Sequence, residues 1–399
     1  MDMILAGTVG LLIVAILVAL AARRLALPYT VGLVIAGIAL AWAKVPLGPK
    51  LTHDFIYLVI LPPLLFEAAI AIHWKELRQD MVPVLVLSTL GVVISAMVVA
   101  GGMVGLLGWA LAPAIVFGVL IAATDPVAVI AMFKDLGVKG RLRLLVESES
   151  LANDGVAAVL FALALAWALA PQTPPGILSS VLALVTSAGG GIAVGLAVGA
   201  AAIALAGRTA DHLIAAALTT VAAYASFLLA ERFHFSGVLA TVTAGLLLGN
   251  VTALGPRLRN TFSAEERDFI MGFWEFAAFI ANSVVFLLIG LAVASIPFAG
   301  LGVATLVVAI VLVLLGRLLT VYPLCLMFAG SRWAMSLGEQ HVLWWGGLRG
   351  ALALALALSL PPSLAYADEI RIAAFAVVIF SVVVQGLTMP LLLRKLGKA

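Results

Sequence analysis

Apolar residues run along this chain in blocks, and polar residues gather at the seams between them. A block of roughly 20 residues suffices for a helix to cross a hydrocarbon core about 30 Å thick. Thirteen such stretches are legible, at 3–22, 30–44, 54–72, 82–109, 113–133, 142–170, 176–207, 211–230, 235–250, 265–293, 299–328, 340–360 and 367–392. The seams carry turn chemistry: Arg23-Arg24 ahead of Pro28, "PQTPPG" from Pro171 to Gly176, "GRTAD" from Gly207 to Asp211, and Pro361-Pro362. None is long enough for a soluble domain, so the pattern predicts an all-α polytopic membrane protein with 13 transmembrane helices in a single unit, 1–399.

Composition agrees, with 64% apolar residues, 10% charged ones and a mean hydropathy of +1.24. Those values lie outside the range of soluble domains. Alternate seams divide the Lys and Arg residues unevenly, sixteen on one side against four on the other. Short basic loops stay in the cytoplasm, which predicts the amino terminus outside and the carboxyl terminus in the cytoplasm. The net charge of +3 is then a mark of topology, and no basic stripe with interleaved aromatics points to nucleic acid. The opening "MDMILAG" has an acid and no basic n-region, so it reads as an uncleaved span. A single cysteine, Cys325, excludes an intrachain disulfide or a cysteine metal cluster. No phosphate loop, zinc spacing or nucleophile–base pairing occurs near the buried charges, so neither an enzyme nor a cofactor is expected.

Seven ionisable residues remain inside the spans: Glu67, Asp125, Glu149, Asp154, Glu275, Arg317 and Arg349. Each costs roughly 2.5 to 3.5 kcal/mol facing lipid, so they must face one another or water. Asp154 and Asp125 each lie some twelve residues into their spans, a depth of about 18 Å that is close to the midplane. Two acids at one depth suit a small cation, because hard cations take oxygen ligands. Ser150 adds a hydroxyl one turn before Asp154 on the same face. Glu149 and Asn153 form a second face and need another partner. Glu275 and Asn282, seven apart on one face of the tenth span, suit hydrogen bonding toward the core helices, and Arg317 suits an interhelical anchor. Glu147, near its span end, either draws cations toward a mouth or is simply wet.

In "IAATDPVAVIA", Ile121 to Ala131, Pro126 donates no N–H and clashes one turn back, so the helix should break at Thr124-Asp125. If spans 1 to 6 (about 1–170) and 8 to 13 (about 211–399) are repeats linked by 176–207, the odd offset inverts one against the other. The counterpart of the broken span then reads "VLWWGGLRGALALALAL", Val342 to Leu358, interrupted by Gly346, Gly347 and Gly350. Two broken helices at matching places of inverted halves point to a transporter's ion site. Arg349 sits in the second break, where it can satisfy Glu149 and leave Asp154 free.

The motifs "LPYTVGLVIAGI" (from Leu27), "LPPLLFEAAI" (from Leu61), "ATDPVAV" (from Ala123), "ESESLANDG" (from Glu147), "GVLATVTAGL" (from Gly237), "FWEFAAFIANSVVFLLIG" (from Phe273), "WGGLRGALALALAL" (from Trp345) and "VVVQGLTMPLL" (from Val382) span nearly the whole chain. Together they resemble the sodium/proton antiporters of the first cation/proton antiporter family, the NhaP-like and sodium/proton-exchanger branch. That resemblance implies two inverted six-helix repeats with crossed broken helices, a mobile core carrying the ion, and a second domain forming a homodimer in the cell's inner membrane. It implies that Asp154 binds either cation or proton, that Thr124, Asp125 and Ser150 complete a sodium shell with Glu67 close by, and that Glu149 and Arg349 form a structural pair. Asn153 stands where electrogenic relatives have a second aspartate, which implies electroneutral exchange of sodium or lithium for protons. A potassium/proton antiporter of the same fold stays open at this stage. So does a cation channel or ion-sensing membrane subunit.

Overall fold

The computed structural model describes residues 2–25, 28–44, 51–170, 176–208, 211–253, 262–294 and 296–397, and among them every regular element is helical. The first half comprises α1 (Asp2–Leu25), α2 (Tyr29–Trp42), α3 (Leu61–Ala71), α4 (Trp74–Leu77), α5 (Met81–Leu107), α6 (Leu111–Leu120), α7 (Val127–Asp135) and α8 (Arg141–Leu169). A long helix, α9 (Ile177–Ala206), precedes α10 (His212–Arg232), α11 (Gly237–Gly249), α12 (Ala264–Val293), α13 (Val303–Leu326), α14 (Leu337–Trp345), α15 (Ala351–Leu358), α16 (Ala367–Phe380) and α17 (Gly386–Lys395). Two π-helical turns, Phe55–Ile60 and Ser381–Gln385, lead into α3 and α17.

Each predicted apolar stretch holds one or two of these helices, and among the described residues α5, α8, α9, α10, α12, α13 and the continuous run from α16 through α17 are each long and apolar enough to cross a membrane. Seam chemistry starts several of them. Ser263 and Ser336 form capping boxes with Glu266 and Glu339, and Asp211 caps α10. The fifth stretch holds α6 and α7 around an unwound segment, 121–126, and the twelfth holds α14 and α15 around 346–350.

The helices pack as two groups. In a core group α5 runs along α13, α5 and α8 flank α6, and α16 covers α13 and α15. In a scaffold group α2 packs on α12, α3 on α11, and α9 and α10 against α11. Small residues bring the scaffold backbones together: a Cβ on Gly37 would lie 2.9 Å from the Gly290 Cα, and one on Gly249 would lie 2.9 Å from the Ile70 carbonyl carbon. Helix α8 leans on α9, α11 and α3, which brings its polar face to the seam between the groups.

Candidate functional site

The two unwound segments cross at the centre of the core group, where the Asp125 amide donates to the Leu348 carbonyl at 2.7 Å. The Asp125 carboxylate accepts the Val127 amide at 2.9 Å and also the Ala351 amide. The amino-terminal ends of two half-helices, α7 and α15, are thus aimed at one negative charge. The arginine of the other break does the converse. Arg349 donates from one guanidinium nitrogen to the carbonyls of Ala122 (2.6 Å) and Ala123 (3.1 Å), and its amide donates to Ser381 Oγ at 3.0 Å. The glycines make room for these side chains: a methyl on Gly350 would overlap the Asp125 carboxylate, and one on Gly347 would lie 2.7 Å from Arg317 Nε.

Helix α8 supplies the rest. Ser150 Oγ donates to the Thr124 carbonyl at 2.9 Å and lies 2.7 Å from Thr124 Oγ1, which ties α8 to the first break. One turn on, Asp154 is buried, with Oδ1 lacking any hydrogen-bond partner. Its charged neighbours are Asp125, Glu149 and Arg349. On the second face of α8, Asn153 is buried, and its amide nitrogen lies 3.5 Å from Glu149 Oε1.

The predicted pairing of Glu149 with Arg349 is corrected by the structure. Arg317 of α13 grips Glu149 bidentately, at 2.8 and 2.9 Å, and also donates to the Leu343 carbonyl. Arg349 is a charged neighbour of Glu149, but its hydrogen bonds go to the carbonyls beyond α6. Arg317 is thereby the anchor that the sequence suggested, with its partner now identified.

A cavity of about 250 Å³ opens between the two groups. Asp154, Asp125, Thr124 and Glu147 line it from the core side, with Thr30, Glu67, Asn282 and Glu275 among the residues of the scaffold opposite. Ser150 reaches it through Thr124, whereas Asn153, Glu149, Arg317 and Arg349 lie behind its wall. Glu67 is half-buried on the wall of the same cavity, and its charged neighbours are Lys134, Glu275 and Arg143. Glu275 meets the core group in the way that the sequence suggested, accepting from Lys134 of α7 at 3.2 Å, and the pair is exposed. Glu147 lies 3.7 Å from Arg143. Thr30 was absent from the sequence-based site, since one hydroxyl in an apolar helix carries no distinguishing signal.

Below the cavity, His53 Nδ1 bonds the Ala355 carbonyl of α15 at 2.9 Å, and Tyr57 donates to Glu231 at 3.1 Å. The first bond latches that end of the seam across the two groups, and the second ties the π turn to α10 within the scaffold group. Among the described residues no set of three or more His, Cys, Asp or Glu side chains gathers as a metal cluster. The side chains at the cavity offer carboxylate, hydroxyl and amide oxygens, a set that suits a hard cation.

The chain resembles solved and characterised proteins along its length. The structure of MjNhaP1, a sodium proton antiporter from Methanocaldococcus jannaschii, superposes with a TM-score of 0.76 at 21% identity, covering 99% of each chain. The Na(+)/H(+) antiporter ApNhaP of Aphanothece halophytica is 40% identical over 372 residues, 93% of this chain and 70% of that protein. NhaH of Halobacillus dabanensis, also a Na(+)/H(+) antiporter, is 34% identical over 400 residues, 97% of this chain and 96% of that one. With the family profile of the sodium/hydrogen exchanger transmembrane region matching residues 10–395, this multi-pass membrane protein belongs to the sodium/hydrogen exchanger family.

Proposed function

We propose that this chain is a secondary active sodium/proton antiporter in which proton and cation compete for Asp154. One observation carries the reading. Among the described acids and bases buried around the crossing, Asp154 alone is not committed: Glu149 is held by Arg317, Asp125 by two half-helix amides, and Arg349 by two carbonyls. Asp154 keeps an oxygen without a partner on the wall of the cavity.

A carboxylate in a dry site is stable when its charge is neutralised, and a proton or a metal ion serves equally. The loaded site can cross a dry barrier and the bare one cannot, so each crossing carries one substrate and the two gradients exchange. Asn153 holds no charge, so Asp154 is the single exchangeable group and the exchange is one-for-one and electroneutral. Thr124, Ser150 and Asp125 supply further oxygens to sodium or lithium. The relatives named above are transporters, and no enzymatic chemistry or resident cofactor enters the reading.

Matched packing supports inverted repeats at about 1–170 and 211–399 around the linker helix. The α2–α12 contact has α11–α3 as its counterpart, α5–α6 has α13–α14, and α7–α8 has α15–α16. In this reading the thirteen stretches are thirteen crossings of the cell membrane, with the amino terminus outside, the cavity on the cytoplasmic side, and the scaffold group joining two copies as a homodimer.

The test uses purified protein in liposomes with an acidic lumen and the voltage clamped by potassium and valinomycin. Sodium or lithium, and not choline, should alkalinise the lumen, and Asp154→Asn should abolish the response in a folded protein. Potassium is run separately without valinomycin. Exchange surviving in Asp154→Asn would overturn the carrier assignment, and cation flux without proton movement would indicate a channel.

A further inference from the structure

Among the described residues three buried oxygens around the cavity have no hydrogen-bond partner: Asp154 Oδ1, Thr30 Oγ1 and Asn282 Oδ1. Buried polar atoms are normally satisfied, so three orphans around one cavity mark a place that can bind water or an ion. The first belongs to α8 of the core group and the other two to α2 and α12 of the scaffold. Thr30 is only 2% exposed and yet lines the cavity, so its hydroxyl serves the interior of the site and not bulk water. Its chain neighbour Tyr29 is bonded to Ser283, the neighbour of Asn282, which locks the two positions on adjoining helices.

Hydroxyl and amide oxygens are hard, neutral donors. A proton on Asp154 needs one carboxyl oxygen and nothing more, whereas an alkali cation needs a shell of several oxygens. Neutral donors across the cavity therefore recognise the cation and are indifferent to the proton. Their position adds a second property. Helices α2 and α12 meet backbone to backbone at Gly37 and Gly290, so both donors are fixed to the scaffold.

We infer that Thr30 and Asn282 are loading-side ligands of the transported cation. Resting on the antiporter reading above, they complete its oxygen shell, directly or through one water, on the face where the cavity opens toward Lys134 and Glu275. The cation leaves them behind when the core group carries it across. They thus set the affinity for the cation on one face of the membrane only.

Kinetics from each face separately test this, using vesicles of known orientation, with Thr30→Val, Asn282→Leu and their combination. The combined variant should raise the apparent KM for sodium about tenfold from the cavity's face, with the maximal rate kept within about twofold. From the opposite face KM should stay at the parent value, and the pH midpoint of exchange should not move. Thr30→Ser, which restores the hydroxyl, should restore the parent KM. An unchanged KM from the cavity's face, or an equal rise from both faces, overturns the inference. Thr30→Val is nearly isosteric and keeps the test alive if Asn282→Leu does not fold. Failure of the antiporter reading would look different, because the parent protein itself would then show no sodium-driven proton movement.

Discussion

The first break, 121–126, leaves α6 after Leu120, passes through Pro126 and contributes an acid; the second, 346–350, leaves α14 after Trp345 on glycines and contributes a base. Each charge serves helix ends that are not only its own. Asp125 collects amides at the start of both α7 and α15, and Arg349 reaches over to the carbonyls that follow α6. The comparison teaches that the residues around each charge differ for a steric reason. The acid is short and tolerates a proline beside it, while the second segment must pass close enough to Asp125 and Arg317 that only hydrogen fits at Gly350 and Gly347.

Five substitutions would break or sharpen that contrast, and thermal or chemical unfolding in detergent reads each. Arg317→Met should cost about 4 kcal/mol, because Glu149 is left charged and buried; adding Glu149→Gln should return most of it. Gly350→Val drives a branched side chain into the Asp125 carboxylate and should cost about 3 kcal/mol and end exchange. Arg349→Met frees two carbonyls and should cost about 2 kcal/mol. A larger loss there than in Arg317→Met would return Glu149 to Arg349. Asp125→Asn keeps the shape and an acceptor for Val127 but removes the charge facing two helix ends, for about 1 kcal/mol. Pro126→Ala should cost only about 0.5 kcal/mol and retain exchange. The break would remain unwound through the Asp125–Val127 and Asp125–Leu348 bonds, and loss of exchange would show that the proline makes it.

Much of this centre was legible in the sequence. Pro126 and the glycine run marked both breaks, and the spacing of Ser150 and Asp154 placed them on one face of α8, with Asn153 and Glu149 on another. Depth along a helix follows from counting residues. Which residue of a third helix arrives at that depth does not, so Arg317 was separable from Arg349 as a partner for Glu149 only in three dimensions. For Glu275 the direction toward the core helices was legible but its exposure was not, since apolar flanks give no sign of a cavity that leaves the side chain exposed beside Lys134.

The π turn at Phe55–Ile60 gives the length of one short stretch a meaning of its own. Such a turn holds a residue more than a regular helix would need, so losing a single codon within it would restore an ordinary α-helix. Everything upstream would then be turned by about 100° relative to α3. Glu67 would stay on the cavity wall, while His53 and Tyr57 would swing away from Ala355 and Glu231. A one-residue gap at this point in an alignment would therefore mark a lineage that has rebuilt its far-side latch, even where every other motif is unchanged.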